Sequence, residues 1–128
     1  MTTRLKNAVS WFEIPAYNIK RAKAFYESIF EIEISEMTLA NDLKMPLFPV
    51  EDGTIGGAIC EHSRFYHPSH EETLIYLNGN PDLGTILDRV KAFGKGVLIP
   101  KTQISPELGY MGVFEDSEGN RIALHSTN

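Results

Sequence analysis

Apolar and polar residues follow two periodic patterns along the chain, and these patterns come in the same order twice. In the first half, bulky residues alternate over residues 9–14, which predicts a β-strand that ends at Pro15. Over residues 19–30 the apolar side chains recur every three or four positions, so this segment is predicted to form an amphipathic helix. Ile32 and Ile34 alternate with polar residues and predict a half-exposed strand.

The rest of the first half predicts a β-hairpin, and the second half repeats the whole order. A loop through Asn41 and Asp42 leads to two predicted strands at residues 47–50 and 56–60, joined by a turn at Gly53. The corresponding segments of the second half are a strand, a helix, a further strand and a hairpin, predicted at residues 73–77, 83–93, 97–99, 110–114 and 121–125.

Two such units account for the chain. We predict a first module at residues 8–61, a linker at residues 62–72 and a second module at residues 73–126. Neither unit alone covers both faces of its sheet, so the two are predicted to associate. The expected fold class is α+β, a single domain of two βαβββ modules whose curved mixed sheets surround a pocket, with the helices outside. Function is expected in that pocket.

Composition and charge narrow the class of protein. The chain has 128 residues, 42% of them hydrophobic, and a formal net charge of −5. The negative charge disfavours binding to nucleic-acid phosphates, and no run approaches the ~20 apolar residues of a membrane span. The single cysteine, Cys60, cannot form an internal disulfide. We expect a cytoplasmic protein with a buried Cys60 and with no nucleic-acid or membrane partner.

Several motifs resemble a known family. The run Trp11-Phe-Glu-Ile-Pro, followed by Arg21-Ala-Lys-Ala-Phe-Tyr26, is similar to the first strand and helix of the vicinal oxygen chelate superfamily, which includes glyoxalase I, extradiol dioxygenases and bleomycin-resistance proteins. In the second half, Thr73-Leu-Ile-Tyr-Leu-Asn78 and Phe114-Glu-Asp-Ser-Glu-Gly-Asn-Arg-Ile-Ala-Leu-His-Ser126 resemble its predicted glyoxalase-related branch. The resemblance implies paired βαβββ modules, a small-molecule pocket in each cupped sheet and, commonly, a homodimer.

In catalytic members of that superfamily, the resemblance also implies a divalent metal held by His or Glu from the first and last strands of each module. Here Trp11 aligns with the first His, and Gly57 and Ala123 align with the two carboxylates, while residues 73–77 contain no His. None of these side chains is an adequate ligand. We predict that the usual metal site is absent and expect no cofactor, and the small residues leave space for a ligand.

Two polar residues lie close to the missing ligand positions. Strand alternation places Glu13 on the face of Trp11 and His125 on the face of Ala123. One hypothesis is that Glu13 and His125 form a general base with its partner or a two-ligand metal site. The alternative is a Glu13 held by a backbone donor or solvent, with His125 fraying near the C-terminus. The residues expected to line the pocket are Trp11, Gly57, Tyr76, Tyr110 and Ala123, beside Glu13 and His125.

Three functions stay open at this point. The leading prediction is a dimeric small-molecule binding protein of the glyoxalase and bleomycin-resistance kind without the standard metal. The alternatives are a metal-dependent lyase, isomerase or dioxygenase with relocated ligands such as Glu13 and His125, and a metal-free enzyme with Glu13 as base. Glutathione adducts, aromatic diols and antibiotics all remain possible ligands.

The linker is rich in histidine. It is predicted to be a solvated connector, with two alternatives: a zinc site between His67 and His70, or a lid over the groove that brings Phe65 and Tyr66 to a ligand.

Overall fold

The computed structural model of the chain describes residues 3–39 and 42–128. The described residues form two α-helices and six β-strands, and in both halves a strand is followed by a helix and then by further strand structure. They are β1 (Trp11–Pro15), α1 (Ile19–Phe30), β2 (Gly56–Cys60), β3 (Tyr76–Asn78), α2 (Leu83–Ala92), β4 (Val97–Ser105), β5 (Gly109–Glu115) and β6 (Arg121–Ser126).

The two modules have the same order of neighbouring segments, but the first has a two-stranded sheet with isolated bridges and the second a four-stranded sheet. In the second module the strand order is β3-β6-β5-β4, with β3 parallel to β6 and the other neighbours antiparallel. In the first module β1 is parallel to β2, and antiparallel bridges join Ala58 to Leu47 and Leu47 to Ser35. The α+β fold of two βαβββ modules is therefore confirmed.

Four strands differ from the sequence prediction. Residues 32–35 and 47–50 form only isolated bridges, because prolines next to Leu47 lack the N–H that a strand interior needs. The strand predicted at residues 73–77 is limited to β3. Strand β4, by contrast, is longer than predicted and extends to Ser105. Its pairing with β5 contains register shifts. Because β4 is an edge strand, it also tolerates Pro100, which lacks a backbone N–H. The predicted loop through Asn41 lies partly outside the described residues.

Helix α1 is capped by both modules. Asn18 is its N-cap, and the Asn18 side chain accepts a hydrogen bond from the Arg21 N–H. Glu118, in the turn between β5 and β6, accepts from the N–H groups of Tyr17 and Asn18 at 2.9 and 2.7 Å and from the Arg21 guanidinium. Burial alone would raise the pKa of Glu118, but these donors outweigh it and lower the pKa. The second module thus fixes the start of the first module's helix.

One hydrophobic core contains residues of both modules. Phe25 and Tyr26 of α1 are fully buried and belong to the same cluster as Leu83 and Val90 of α2. Asp116 lies at its edge, where its carboxylate accepts a 2.6 Å hydrogen bond from the Tyr26 hydroxyl. Within residues 3–39 and 42–128, no helix is long and apolar enough to cross a membrane.

Candidate functional site

Strand β1 presents different side chains to its two faces. Phe12 and Ile14 pack with the hydrophobic core, so alternation turns Trp11 and Glu13 to the opposite face. The Trp11 indole N–H donates to the Glu13 carboxylate at 3.3 Å, which confirms that the two side chains share a face. Trp11 is 44% exposed, so this face is accessible at its edge.

A tyrosine of the linker completes the surroundings of Glu13. The Tyr66 hydroxyl donates a 2.6 Å hydrogen bond to the other Glu13 oxygen. This hydrogen bond, together with partial burial, raises the pKa of Tyr66. Burial and the adjacent Glu13 carboxylate raise the pKa of Cys60 to about 12, so the thiol stays protonated. Glu13 is therefore a carboxylate held by two donors from different parts of the chain.

A large groove lies between the two modules. We call it the intermodule groove, and it has a volume of about 970 Å³. Its walls come from the start of β1 and the following first-module segments on one side, and from residues 73–78 on the other. Most lining side chains are apolar, among them Phe12, Phe48, Val50 and Tyr76. Volume and lining both match the usual properties of a small-molecule pocket.

A smaller, more polar recess adjoins the intermodule groove. We call it the polar recess; it has a volume of about 130 Å³, and it shares Thr73 and Ile75 with the groove. Glu13 comes to it from β1 and Arg121 from the start of β6. The Arg121 guanidinium donates to the Glu72 carbonyl at 3.2 Å. The recess is therefore lined by one basic residue, Arg121, and two acidic residues, Glu13 and Glu72, where it adjoins the apolar groove.

Comparison with known proteins identifies the family. The protein-family model of the Glyoxalase/Bleomycin resistance protein/Dioxygenase superfamily matches residues 8–124 of the chain. The chain belongs to this superfamily. The resemblance found in the sequence motifs is thus confirmed, whereas no curated protein matches the chain.

Solved structures agree on the superfamily fold. TnmS3, an antibiotic binding protein from Streptomyces sp. CB03234, superposes with a TM-score of 0.67 at 17% identity, covering 98% of this chain and 100% of its own. The fosfomycin resistance protein FosX from Listeria monocytogenes superposes with a TM-score of 0.64 at 16% identity, covering 98% of this chain and 94% of its own. A glyoxylase/bleomycin resistance protein/dioxygenase domain from Frankia sp. EAN1pec superposes with a TM-score of 0.67 at 15% identity, covering 95% of this chain and 98% of its own.

The residues of this chain do not fit the metal site that catalytic superfamily members carry. Trp11 donates its indole N–H and offers no ligand atom. Residues 73–78 contain no His, Cys, Asp or Glu, and Ala123 has no donor. On β2 the only candidate donor is the fully buried thiol of Cys60. Among the described residues, no group of three His, Cys, Asp or Glu side chains is placed to hold an ion.

Gly57 does not lie where the alignment predicted. It pairs with Phe12, and a Cβ added at Gly57 would overlap the Phe12 ring, so this position faces the helices. Ala58, which pairs with Glu13, occupies the other face instead. The prediction was displaced by one residue, and in a strand a shift of one residue reverses the face.

The other predicted pocket residues are spread over the second module. Tyr76 lines the intermodule groove and is 50% exposed. Its partner in β6, Ala123, is fully buried. Tyr110 packs against the hydrophobic core and under the Lys101 ammonium, 4.6 Å from the ring centre, so it lines neither cavity.

Glu13 and His125 have different partners. The ring of His125 is hydrogen-bonded to the Leu108 carbonyl, beyond the far end of β6. Glu13 lies beside the polar recess with Arg121, at the opposite end of that strand. The geometry therefore favours Glu13 without His125 as the polar group of the site.

The linker packs against the domain at several points. Besides the Tyr66 contact, the Ser69 N–H donates to Asn120, and His70 is 2.7 Å from the Glu115 carboxylate. His67 contacts the Arg64 carbonyl, so the two histidines of the proposed zinc site have separate partners. Phe65 is exposed and stacks on His62. The linker thus positions Tyr66 against Glu13.

Sequence reasoning missed Arg121, and it named Tyr66 only as part of a lid that would touch a ligand. Arg121 lies two residues before Ala123, so the same alternation that selected Glu13 would have placed it on the site face. No local pattern predicts the contact of Tyr66 with Glu13, because it joins positions far apart in the chain.

Proposed function

We propose that this protein binds a small organic molecule in the intermodule groove, without the divalent metal of the catalytic superfamily members. The observation that carries the proposal is the apolar groove of about 970 Å³, beside strand positions that offer no metal ligands. A groove of this size accommodates a drug-sized ligand, whose binding rests on apolar contact. The ligand class we propose is therefore a flat or bulky apolar compound.

Structural relatives support a binding role of this kind. TnmS3 is described as an antibiotic binding protein and FosX as a fosfomycin resistance protein. We carry only the general class, capture of a small bioactive compound, over to this chain. In this proposal Glu13 is a binding residue and not a general base, since its carboxylate already accepts hydrogen bonds from Tyr66 and Trp11.

We also propose a homodimer, formed through the edge of the second sheet. Strand β4 is the edge strand of that sheet, and it exposes Leu98, Ile99 and Ile104. An exposed apolar edge strand is a site at which another chain pairs. A second copy of this chain is the partner that the superfamily resemblance implies.

The groove is tested with N-phenyl-1-naphthylamine, a neutral apolar dye whose emission rises in apolar surroundings. We expect saturable binding, and we expect Tyr76→Ala to weaken it about tenfold, because that substitution removes an aromatic wall worth about 1.4 kcal/mol. Trp11, the only tryptophan, reports the same event, since it lies with the groove residue Val50 around Gly56.

Tyr17→Ala is the matched control for Tyr76→Ala. Tyr17 is also exposed, at 62%, and lines neither cavity. Dye affinity in this variant should equal that of the unmodified protein. If the dye does not saturate, or if both tyrosine variants weaken it equally, the groove is not the binding site.

A further inference from the structure

The polar recess contains an arginine whose hydrogen-bonding capacity is largely unused. Arg21 pairs with Glu118 and Arg89 pairs with Glu31, at 2.7 and 2.6 Å. Arg121, by contrast, forms no ion pair with any described carboxylate. Its Nε is buried without a partner, and its one hydrogen bond goes to a main-chain carbonyl.

A buried N–H of a charged group is costly when it has no partner. Burial without a partner costs about 1–3 kcal/mol, and more for a charged group. Folded proteins normally offset such a cost with an acceptor. Nε itself is closed off, but Arg121 as a whole is only half-buried and lines the recess, so an acceptor on a ligand head there is well placed to pair with the rest of the guanidinium.

The acidic groups around the recess define the rest of the head group. Glu13 is among its lining residues, and the Glu13 carboxylate, which already accepts from Tyr66 and Trp11, keeps free lone pairs. Glu72 also lines it, and Glu115, the neighbour of Arg121 across the sheet, is occupied by His70 and Lys95. A purely anionic head would be repelled by Glu13 and Glu72, and a purely cationic head would leave the Arg121 guanidinium without an acceptor.

We infer that the polar recess recognises a zwitterionic head, an ammonium beside a carboxylate, on a ligand whose apolar body lies in the intermodule groove. The carboxylate pairs with Arg121, and the ammonium pairs with Glu13. A volume of about 130 Å³ suits a head group of this size, and the shared walls at Thr73 and Ile75 let one ligand occupy both cavities. This inference rests on the proposed function.

Four compounds with the same phenylalkyl body test the inference by displacement of N-phenyl-1-naphthylamine. They are 4-phenylbutan-1-ol, 4-phenylbutylamine, 4-phenylbutanoate and the zwitterion 2-amino-4-phenylbutanoate. The zwitterion should bind about tenfold more tightly than the amine and the carboxylate, each of which lacks one charge-assisted pair, and more tightly still than the alcohol, which lacks both. In Arg121→Gln the zwitterion should bind no more tightly than the amine. In Glu13→Gln the zwitterion should bind no more tightly than the carboxylate.

Two further variants keep the test decisive. Arg121→Lys retains the charge but not the fork of donors, so it should give an intermediate preference even if Arg121→Gln fails to fold. Arg64→Gln, which removes an exposed linker arginine outside the recess, should change nothing. Dye binding with no preference for the zwitterion overturns the inference alone. Absence of dye binding overturns the proposed function as well.

Discussion

Replacing Asp116 with alanine is expected to lower the free energy of unfolding by about 3–5 kcal/mol, one of the two largest losses that we predict. Asp116 is fully buried. Its carboxylate accepts hydrogen bonds from the Tyr26 hydroxyl at 2.6 Å, from the Asn120 side chain and from the N–H groups of Glu118 and Asn120. Alanine leaves all of these donors without their acceptor inside the protein.

The consequences reach beyond the turn that contains Asp116. Asn120 also donates to the Pro15 carbonyl, and Glu118 caps α1, so this turn joins the second module to β1 and to the first helix. Burial raises the pKa of Asp116, against the lowering effect of its hydrogen bonds. The site therefore stabilises the fold through its hydrogen bonds, at the cost of burying a carboxylate.

The measurement for Asp116 is equilibrium unfolding in urea, with Asp88→Ala as the matched control. Asp88 is exposed on α2, where the same substitution should change the free energy of unfolding by less than about 0.5 kcal/mol. A loss below about 1 kcal/mol for Asp116→Ala would contradict the role given to this turn.

Replacing Gly109 with alanine is expected to be comparably damaging. Gly109 begins β5 with a φ of +85°, and an added Cβ would overlap the carbonyl oxygen of Ser126. The left-handed backbone costs an alanine about 1–2 kcal/mol, and the clash adds about 1–3 kcal/mol because a main-chain atom of β6 has to move. The pairing between β5 and β6 should weaken as a result.

Gly94→Ala separates the two contributions. Gly94 has a φ of +92°, but an added Cβ there meets nothing within 4 Å. This variant should therefore show only the backbone cost, about 1–2 kcal/mol, in the same urea unfolding experiment. Equal decreases in the free energy of unfolding for Gly109→Ala and Gly94→Ala would mean that β6 moves to accommodate the added methyl group at no energetic cost.

The parts of the fold that depend on local periodicity could be predicted from sequence. Helix α1 has the predicted bounds, because its apolar spacing and its N-cap Asn18 are both local signals. The short strands could not be placed with the same accuracy. Their lengths depend on which edges find partners and on where a proline interrupts pairing, which are tertiary properties.

The candidate site divides in the same way. Alternation along β1 was sufficient to place Glu13 beside Trp11. The position of Gly57 was wrong by one residue, since the repeat was aligned through a turn and a single shift reverses a strand's face. The contact between Tyr66 and Glu13 arises only when the linker packs against the first module.

The central claim is that the intermodule groove holds an organic ligand and that no divalent ion occupies the site. Native mass spectrometry of protein purified without chelator, and then incubated with nickel, cobalt or zinc, tests it most directly. We predict a species at twice the subunit mass of 14.4 kDa that retains an organic compound and keeps no stoichiometric ion. One tightly held ion per subunit would contradict the claim and would instead group the protein with the metal-dependent members of its superfamily.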